Sequence, residues 1–272
     1  MTAHSNCEAC PVHAEMARLG EAVGGFDRTI ALAGNPNTGK STLFNALTGL
    51  RQHTGNWPGK TVTRAEGGFK YAGVRYKLVD LPGTYSLLSA SADEEVARNF
   101  LLFGRPDCTI VVADASALER NLYLALQVLE ITDRVVVAVN LMDEARRRGI
   151  EVDTRSLARD LGVPVVPIVA RTGDNIMGLV DEMARVASGE TATSPLRSRG
   201  TPEFERAVSR LVPLIEATAP GVPNARWIAI RLLDGDAAVE EALSSGQLAD
   251  LVARQQAPDA RFSRKIALQG AQ

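Results

Sequence analysis

Residues 29–41 read Thr29-Ile30-Ala31-Leu32-Ala33-Gly34-Asn35-Pro36-Asn37-Thr38-Gly39-Lys40-Ser41, and this stretch decides the fold. Its first five residues are mostly apolar, as in a buried strand. From Gly34 onward the stretch satisfies G-x-x-x-x-G-K-[ST], and residues 41–47 continue with helical spacing. A strand, a glycine-rich loop and a helix in this order predict a turn whose main-chain N–H groups hold phosphate oxygens at the helix N-terminus.

The two polar residues that close this loop have predicted roles of their own. Lys40 supplies a mobile cation for the terminal phosphates of a nucleotide, and the Ser41 hydroxyl is a ligand for Mg²⁺. The alternative is a glycine-rich turn with an incidental lysine. The strand before the loop and the helix after it argue against that alternative.

Outward from this loop, short apolar runs alternate with helical stretches. The runs cover residues 29–33, 76–79, 109–113, 135–139 and 163–169, and the helical stretches cover residues 41–47, 94–103, 121–131 and 156–161. Apolar strands that alternate with helices predict an α/β domain with a mainly parallel sheet covered on both faces. Residues 67–71 and 76–79, joined by Ala72-Gly73, predict one antiparallel hairpin at the sheet edge.

The last third of the chain changes character. A helix predicted over residues 175–187 is followed by a stretch rich in Gly, Ser and Thr, which has the composition of a linker. Beyond it, residues 203–217, 225–233, 236–243 and 247–256 predict four short helices. The sequence thus predicts an N-terminal extension at 1–26, an α/β domain at 27–188, a linker at 189–201 and a small all-helical domain at 202–272.

Composition and charge disfavour several classes of protein. Hydrophobic residues make up 45% and charged residues 23% of the 272 residues, which is typical of a soluble globular protein. Nucleic-acid binders neutralise phosphates with an excess of basic residues, whereas this chain has a formal net charge of -2. No nucleic-acid partner is therefore expected. The N-terminus lacks a secretory pattern, no run approaches the roughly 18 apolar residues of a membrane span, and the 3 cysteines fit a reducing cytosol. We therefore expect the chain as given to be soluble.

Two motifs downstream of the loop predict a metal site and a nucleotide-sensing segment. In Asp80-Leu81-Pro82-Gly83 the carboxylate can hold Mg²⁺ through water, and the Gly83 N–H can contact a γ-phosphate. Between this motif and the phosphate loop lies Asn56-Trp57-Pro58-Gly59-Lys60-Thr61. The Thr61 hydroxyl would complete the Mg²⁺ shell when the γ-phosphate is present and let go after hydrolysis. The alternatives are a common turn and a plain surface loop.

A base pocket is predicted at Asn140-Leu141-Met142-Asp143, which ends the fourth apolar run. The Asp143 carboxylate is placed to accept two N–H bonds from guanine N1 and N2, a donor pair that adenine lacks. Asn140 would brace the pocket. The next strand end, Val169-Ala170-Arg171, is predicted to offer a backbone N–H, from Ala170, to guanine O6. Alone, an Asn-x-x-Asp favours a helix cap or turn, but its order after the two earlier motifs favours the pocket.

Several of these segments resemble the cytoplasmic N-terminal part of the ferrous iron transport protein B family. They are residues 34–45, 56–62, 80–85, 93–95 and 140–143, and Arg226-Trp227-Ile228-Ala229-Ile230-Arg231-Leu232-Leu233-Asp234-Gly235-Asp236 further on. The similarity covers roughly residues 28–260, and Asn-Trp-Pro-Gly-x-Thr-Val is its distinctive part. The resemblance implies a Ras-like P-loop GTPase domain, a helical domain that stabilises bound GDP, and a membrane domain for Fe²⁺ transport that is absent here. We expect either a truncated or a split protein.

The resemblance also implies cofactors and site residues. Family members use K⁺ to accelerate hydrolysis through an Asn of the phosphate loop, and Asn37 occupies that position. Thr84 stands where many GTPases carry a water-positioning Gln, so slow intrinsic hydrolysis is expected, with K⁺ supplying part of the missing stabilisation. The expected catalytic residues are Asn37, Lys40, Thr61 and Gly83. The expected contacts to nucleotide and ions are Gly34, Asn35, Pro36, Asn37, Thr38, Gly39, Lys40, Ser41, Thr42, Gly59, Lys60, Thr61, Asp80, Gly83, Asn140, Asp143, Val169, Ala170 and Arg171.

Two features depart from the family pattern. Val169-Ala170 stands where Ser-Ala is usual, which removes a side-chain bond from the base loop and predicts altered GDP release. The N-terminal extension is longer than the family's usual start. Its four thiol and imidazole groups could bind Zn²⁺ or Fe²⁺, and they belong to His4, Cys7, Cys10 and His13. Their spacing is tight for a closed tetrahedral site, and the alternative is a disordered tail.

The resulting prediction is a GTPase that regulates ferrous iron uptake from the cytoplasmic face of the bacterial inner membrane. Its expected partners are guanine nucleotide and the missing transport domain, and formation of a homo-oligomer stays open. One alternative is a ribosome- or RNA-associated GTPase of similar fold, which would predict a basic appended domain. Another is a nucleotide-dependent binding module that does not hydrolyse GTP, which the missing Gln keeps open.

Overall fold

Strands and helices alternate along most of the chain. The structure is a computed structural model that describes residues 25–49, 52–57, 60–88, 91–197 and 199–256. One sheet holds seven strands in the order β2-β3-β4-β1-β5-β6-β7. They are β1 (Arg28–Gly34), β2 (Gln52–Asn56), β3 (Thr63–Tyr71), β4 (Val74–Asp80), β5 (Cys108–Asp114), β6 (Val135–Asn140) and β7 (Val165–Pro167).

The sheet is mainly parallel, as the sequence predicts. β1 pairs in parallel with β4 on one side and β5 on the other, and β6 and β7 continue the parallel part. β2 and β3 pair antiparallel, as do β3 and β4. The predicted mainly parallel α/β fold is therefore confirmed, with β1 and its following loop near the middle of the sheet.

Helices connect the strands and form the region after them. In the first part they are α1 (Lys40–Thr48), α2 (Ala92–Phe103), α3 (Leu118–Ile131), α4 (Met142–Arg147), α5 (Thr154–Leu161) and α6 (Ile176–Ser188), with a 3₁₀ turn at Ala115–Ala117. In the last part they are α7 (Pro202–Thr218), α8 (Ala225–Leu233), α9 (Ala237–Ser244) and α10 (Gln247–Gln256). All four helices predicted for the last part are present.

The apolar runs form the core because both faces of the central strands are covered. Every residue of β6 is buried, as are the six residues Cys108–Ala113 of β5. On α1, Leu43, Phe44 and Leu47 are buried at helical spacing, so one face of the helix that follows the phosphate loop is fixed against the sheet. The loop is thus held between two rigid elements.

Three details differ from the sequence prediction. β2 was not predicted, and it places the β3–β4 hairpin one strand inside the sheet edge. Its sequence, Gln-His-Thr-Gly-Asn, carries no apolar alternation, and its pairing with β3 comes from the backbone. The strand predicted at 163–169 is regular only at Val165–Pro167, because Pro164 and Pro167 lack the N–H that a ladder needs. The short helix α4 is also additional.

The described chain divides into two compact units, and the division near residue 198 falls inside the segment predicted as a linker. The second unit contains α7 to α10. Three of these helices have side-chain N-caps, since Thr201, Asn224 and Asp236 accept from backbone N–H groups of the following turn. A bidentate ion pair between Arg226 and Glu205, at 2.8 and 2.9 Å, joins α8 to α7 and lowers the pKa of Glu205 to about 2. We propose 27–188 and 202–272 as the limits of the two domains.

Candidate nucleotide-binding site

The predicted site residues gather at one edge of the sheet. β1, β4 and β6 end at Gly34, Asp80 and Asn140, and the parallel pairing sets these ends side by side. Leu32 faces Asp80 in the register, and Asp114 of the intervening β5 faces Asn140. In open α/β sheets, ligands bind in the crevice outside the carboxyl ends of the strands. The sequence-predicted motifs therefore meet at the edge where a ligand is expected.

The phosphate loop turns tightly before α1. Asn37 and Gly39 both have left-handed backbone conformations, with φ of 66° and 81°. Thr38 Oγ1 donates to the carbonyl of Asn35 at 2.9 Å, which closes the turn. A Cβ at Gly34 would lie 2.8 Å from the carbonyl oxygen of Val112, so a side chain cannot be accommodated there without a shift. The loop is thus a compact turn that leads directly into a helix N-terminus, as the sequence predicts.

Lys40 and Asp80 lie in direct contact. The Lys40 ammonium donates to the Asp80 carboxylate and, at 2.7 Å, to the carbonyl of Leu81. Burial raises the pKa of the Asp80 carboxyl, and the adjacent Lys40 charge opposes that rise. The residue predicted to neutralise phosphates and the residue predicted to hold Mg²⁺ through water are therefore neighbours. Ser41 and Thr42 follow with exposed side chains at the start of α1.

Gly83 comes close to the phosphate loop. A Cβ at Gly83 would lie 3.5 Å from the Pro36 backbone, which places the Gly83 main chain beside the loop. The next residue, Thr84, is only 5% exposed. The Thr84 side chain is therefore largely withdrawn from solvent.

Lys60 and Thr61 lie in the turn between β2 and β3. The Trp57 N–H donates to the Val62 carbonyl at 2.9 Å, so this segment continues the β2–β3 pairing. Thr61 is exposed near the tip of the resulting hairpin. Lys60 pairs with Glu95 of α2 at 2.7 Å, a contact that the sequence analysis did not predict. Gly59 lies outside the described residues.

Asn140 joins the phosphate loop to the base loop. Its Nδ2 donates to the Thr38 carbonyl at 2.9 Å, and its Oδ1 accepts from the Ala170 N–H at 2.9 Å. The side chain is 1% exposed. Asn140 thus links the turn at Thr38 to the loop at Ala170. The Ala170 N–H is already engaged, so a bond from it to guanine O6 would have to share this donor with Asn140.

Asp143 sits beside this bridge with two arginine partners. Its Oδ2 accepts from Arg171 at 3.0 Å and from Arg147 at 3.4 Å. Leu141, between the two motif residues, has a left-handed φ of 62°, which turns the chain from β6 into α4. The link between Arg147 and Asp143 has a sequence signal, the i, i+4 spacing on one helix.

Two further predicted residues have informative surroundings. Both polar atoms of the Asn35 side chain are buried without a hydrogen-bond partner among the described residues. Val169 is 4% exposed, and its carbonyl accepts from the N–H groups of Thr172 and Gly173 at 3.2 and 3.0 Å. The base loop is therefore held by its own backbone.

The described residues contain neither a metal-ligand cluster nor a membrane-spanning helix. Within those residues, no group of three or more His, Cys, Asp and Glu side chains is arranged to hold a metal ion. Likewise, none of the described helices has the length and apolarity to cross a bilayer. The predicted metal ligands of the extension, His4, Cys7, Cys10 and His13, lie outside the described part of the chain.

Comparison with known proteins gives matches over both units. The family described as "Ferrous iron transport protein B" matches residues 28–183, and the "FeoB cytosolic helical domain" matches residues 201–266. The Fe(2+) transporter FeoB of Shigella flexneri is 42% identical over 212 residues, which are 76% of this chain and 27% of that protein. The chain thus spans about a quarter of the length of the curated relatives it matches.

Solved structures agree with these matches. The cytosolic domain of the T. maritima FeoB iron transporter in a GDP form is 35% identical, with a TM-score of 0.74 over 85% of this chain and 94% of that chain. The cytosolic domain of L. pneumophila FeoB is 36% identical, with a TM-score of 0.72 over 85% of this chain and 90% of that chain. Both similarities extend across the sheet and the C-terminal helices.

Proposed function

Because this chain belongs to the ferrous iron transport protein B family, we propose that it binds guanine nucleotide and hydrolyses GTP as a regulatory switch. The Asn140 side chain carries this proposal. It ties the turn that would hold the phosphates to the loop that would read the base, with 2.9 Å bonds to each, and Asp143 stands next to it. A relative's solved structure in a GDP form supports the same ligand.

The proposed choice of guanine rests on Asp143. Guanine presents two N–H donors that a single carboxylate can accept together, whereas adenine presents no such pair. Both recorded arginine bonds are made to Oδ2, so Oδ1 has acceptor capacity to spare. An adenine base would offer this carboxylate no such pair of N–H donors, and we therefore expect strong discrimination against ATP.

The proposed chemistry is positioning and charge neutralisation. Backbone N–H groups of the loop and the start of α1 hold the phosphates, Lys40 neutralises their charge, and the Gly83 N–H orients the γ-phosphate. Hydroxyl and carboxylate oxygens are the ligands that Mg²⁺ prefers, so Ser41, Asp80 and Thr61 would hold it, and the ion would offset charge on the β- and γ-phosphates. To bind phosphate, Lys40 has to share or leave its contact with Asp80.

The test of the proposed function is nucleotide binding followed by turnover. We expect calorimetry in Mg²⁺ to show binding of GDP and GTP and no comparable binding of ATP. Purified protein should then release phosphate from GTP slowly. Absence of binding for both guanine nucleotides would refute the proposal. Binding without any single-turnover hydrolysis in K⁺ would instead favour the non-hydrolysing binding module.

Potassium should accelerate the hydrolysis. We propose that Asn37, whose left-handed backbone places it at the turn of the phosphate loop, coordinates K⁺ near the transferred phosphate. A cation there offsets the negative charge of the transferred phosphoryl group, which an arginine finger offsets in other GTPases. GTP turnover is expected to be faster in K⁺ than in Na⁺, by about tenfold or more, and Asn37→Ala should remove the difference. Equal rates in the two salts, with no effect of Asn37→Ala, would refute this role.

Position 169 should influence how fast GDP leaves. Val169 supplies no side-chain hydrogen bond, although its backbone anchors Thr172 and Gly173. A hydroxyl at this position adds a hydrogen bond that stabilises the base loop. Val169→Ser is therefore expected to slow GDP release several-fold, which corresponds to the free energy of roughly one hydrogen bond. Displacement of a fluorescent GDP analogue measures the rate. Val169→Ala is the matched control, because it removes the same methyl groups without adding a hydroxyl. Equal rates for Val169→Ser and the wild type would contradict the prediction.

The remaining parts of the proposal concern the whole transporter. We infer that the chain acts on the cytoplasmic side of the bacterial inner membrane, together with a domain that moves Fe²⁺. Support comes from relatives that carry the name Fe(2+) transporter and from structures described as cytosolic domains. Membership of this family also disfavours the ribosome- or RNA-associated alternative.

A further inference from the structure

The Trp57 side chain contacts both strand β3 and helix α2. Its ring meets the Phe100 ring of α2 edge-on, with centroids 5.4 Å apart. The guanidinium of Arg64, on β3, lies 4.7 Å from the centre of the same ring. An aromatic pair and a cation–π contact on one side chain favour a single fixed position. Trp57, four residues before Thr61, is therefore held in place.

Lys60 provides a second, weaker attachment to the same helix. Its ammonium lies 2.7 Å from Glu95, in the first turn of α2, and the two side chains are 39% and 33% exposed. An ion pair at this exposure contributes little to stability and breaks readily. Two attachments of different strength thus connect the Thr61 segment to α2, the helix that follows the Gly83 motif.

A movement of Thr61 would strain the contact of Lys60 more than the contacts of Trp57. Lys60 precedes Thr61 directly, so a displacement of Thr61 toward Mg²⁺ displaces Lys60 with it. Trp57 lies four residues away, and its N–H bond to the Val62 carbonyl adds to its ring contacts. The contact that yields first is therefore the ion pair between Lys60 and Glu95.

We propose that the Lys60–Glu95 ion pair holds Thr61 in its released position and that Trp57 is a fixed pivot, which keeps its place when Thr61 moves. The inference rests on the proposed GTP switch. GTP, which draws Thr61 toward the γ-phosphate and Mg²⁺, has to break the ion pair, whereas GDP binds without breaking it. Lys60 and Glu95 are positioning residues that set the preference between the two nucleotides.

Glu95→Gln tests the ion pair while keeping the shape of the side chain. We expect the affinity for a non-hydrolysable GTP analogue, relative to GDP, to rise about two- to fivefold, with GDP affinity unchanged. Asp93→Asn is the matched control, because it removes an exposed carboxylate from the same first turn of α2 and leaves the pair between Lys60 and Glu95 intact. Its ratio should equal that of the wild type. An unchanged ratio in Glu95→Gln, or an equal rise in Asp93→Asn, overturns the proposal.

The fluorescence of Trp57 tests the pivot. The chain has 2 tryptophans, so Trp227→Phe, in the second unit, leaves Trp57 as the only tryptophan whose emission is followed. Its emission maximum is expected to be the same with GDP and with the GTP analogue, since the ring stays in place. A shift to longer wavelength with the analogue overturns the pivot. Failure of the wild type to bind GDP in the same titrations would refute the proposed function instead, so the two failures are distinguishable.

Discussion

Gly39→Ala is expected to abolish guanine nucleotide binding. Gly39 has a φ of 81°, and a Cβ there would lie 2.3 Å from Asn140 Nδ2. That amide is fixed by its bonds to Thr38 and Ala170, so the clash displaces the brace itself. Left-handed strain of about 1–2 kcal/mol and the lost bridge bonds together destabilise the site by about 3 kcal/mol or more. This corresponds to at least a roughly hundredfold weaker affinity for GDP.

Calorimetric titration with GDP and denaturant unfolding measure the two effects of Gly39→Ala. Gly73→Ala is the matched control, because Gly73 has a φ of 82° and no atom lies within 4 Å of its would-be Cβ. The control should lose about 1–2 kcal/mol of stability from backbone strain and bind GDP as the wild type does. If Gly39→Ala binds GDP within tenfold of the wild type, the Asn140 brace does not have the importance assigned to it.

Asp143→Asn should change which base the protein accepts. In the proposed base pocket the carboxylate would accept two guanine N–H bonds at about 1.5–3 kcal/mol each, whereas an amide in its place would direct an N–H₂ group at those donors. GDP affinity is expected to fall by about 10²–10⁴-fold. Xanthine carries an oxygen where guanine carries N2, so binding of xanthosine diphosphate should improve in the variant.

Titration of both diphosphates into both proteins checks this exchange of preference. Arg147→Ala is a suitable control, since it removes a partner of Asp143 at 3.4 Å without changing the acceptor atoms. An exposed pair of this kind is worth about 0.2–1 kcal/mol, so GDP affinity should change less than about fivefold. Equal GDP affinity in Asp143→Asn and the wild type would exclude Asp143 from base recognition.

The fold class was predictable because the central strands carry their own signal. Residues 30–33 of β1, 110–113 of β5 and 135–139 of β6 are all apolar, as expected for strands that are buried on both faces of the sheet. β2 has no such signal, since its polar and glycine residues pair through backbone groups that every sequence possesses. Pattern reasoning therefore finds the buried strands and misses the edge strand.

The candidate site was predictable in its motifs and not in its connections. The order of the phosphate loop, Asp80 and Asn140 along the chain indicates one edge of a parallel sheet, and the structure places them there. The bonds from Lys60 to Glu95 and from Arg171 to Asp143 join residues 35 and 28 positions apart. Such pairs depend on how loops meet in three dimensions, and no local spacing predicts them.

The Asn140 side chain also limits how the site can evolve. Its single amide group crosslinks the turn at Thr38 and the loop at Ala170, with a 2.9 Å hydrogen bond to each. A substitution that loosens the loop at Ala170, for example to hasten product escape, therefore shifts the turn at Thr38 as well. Affinity for the phosphates and selectivity for the base should accordingly change together across variants, because neither can be altered separately.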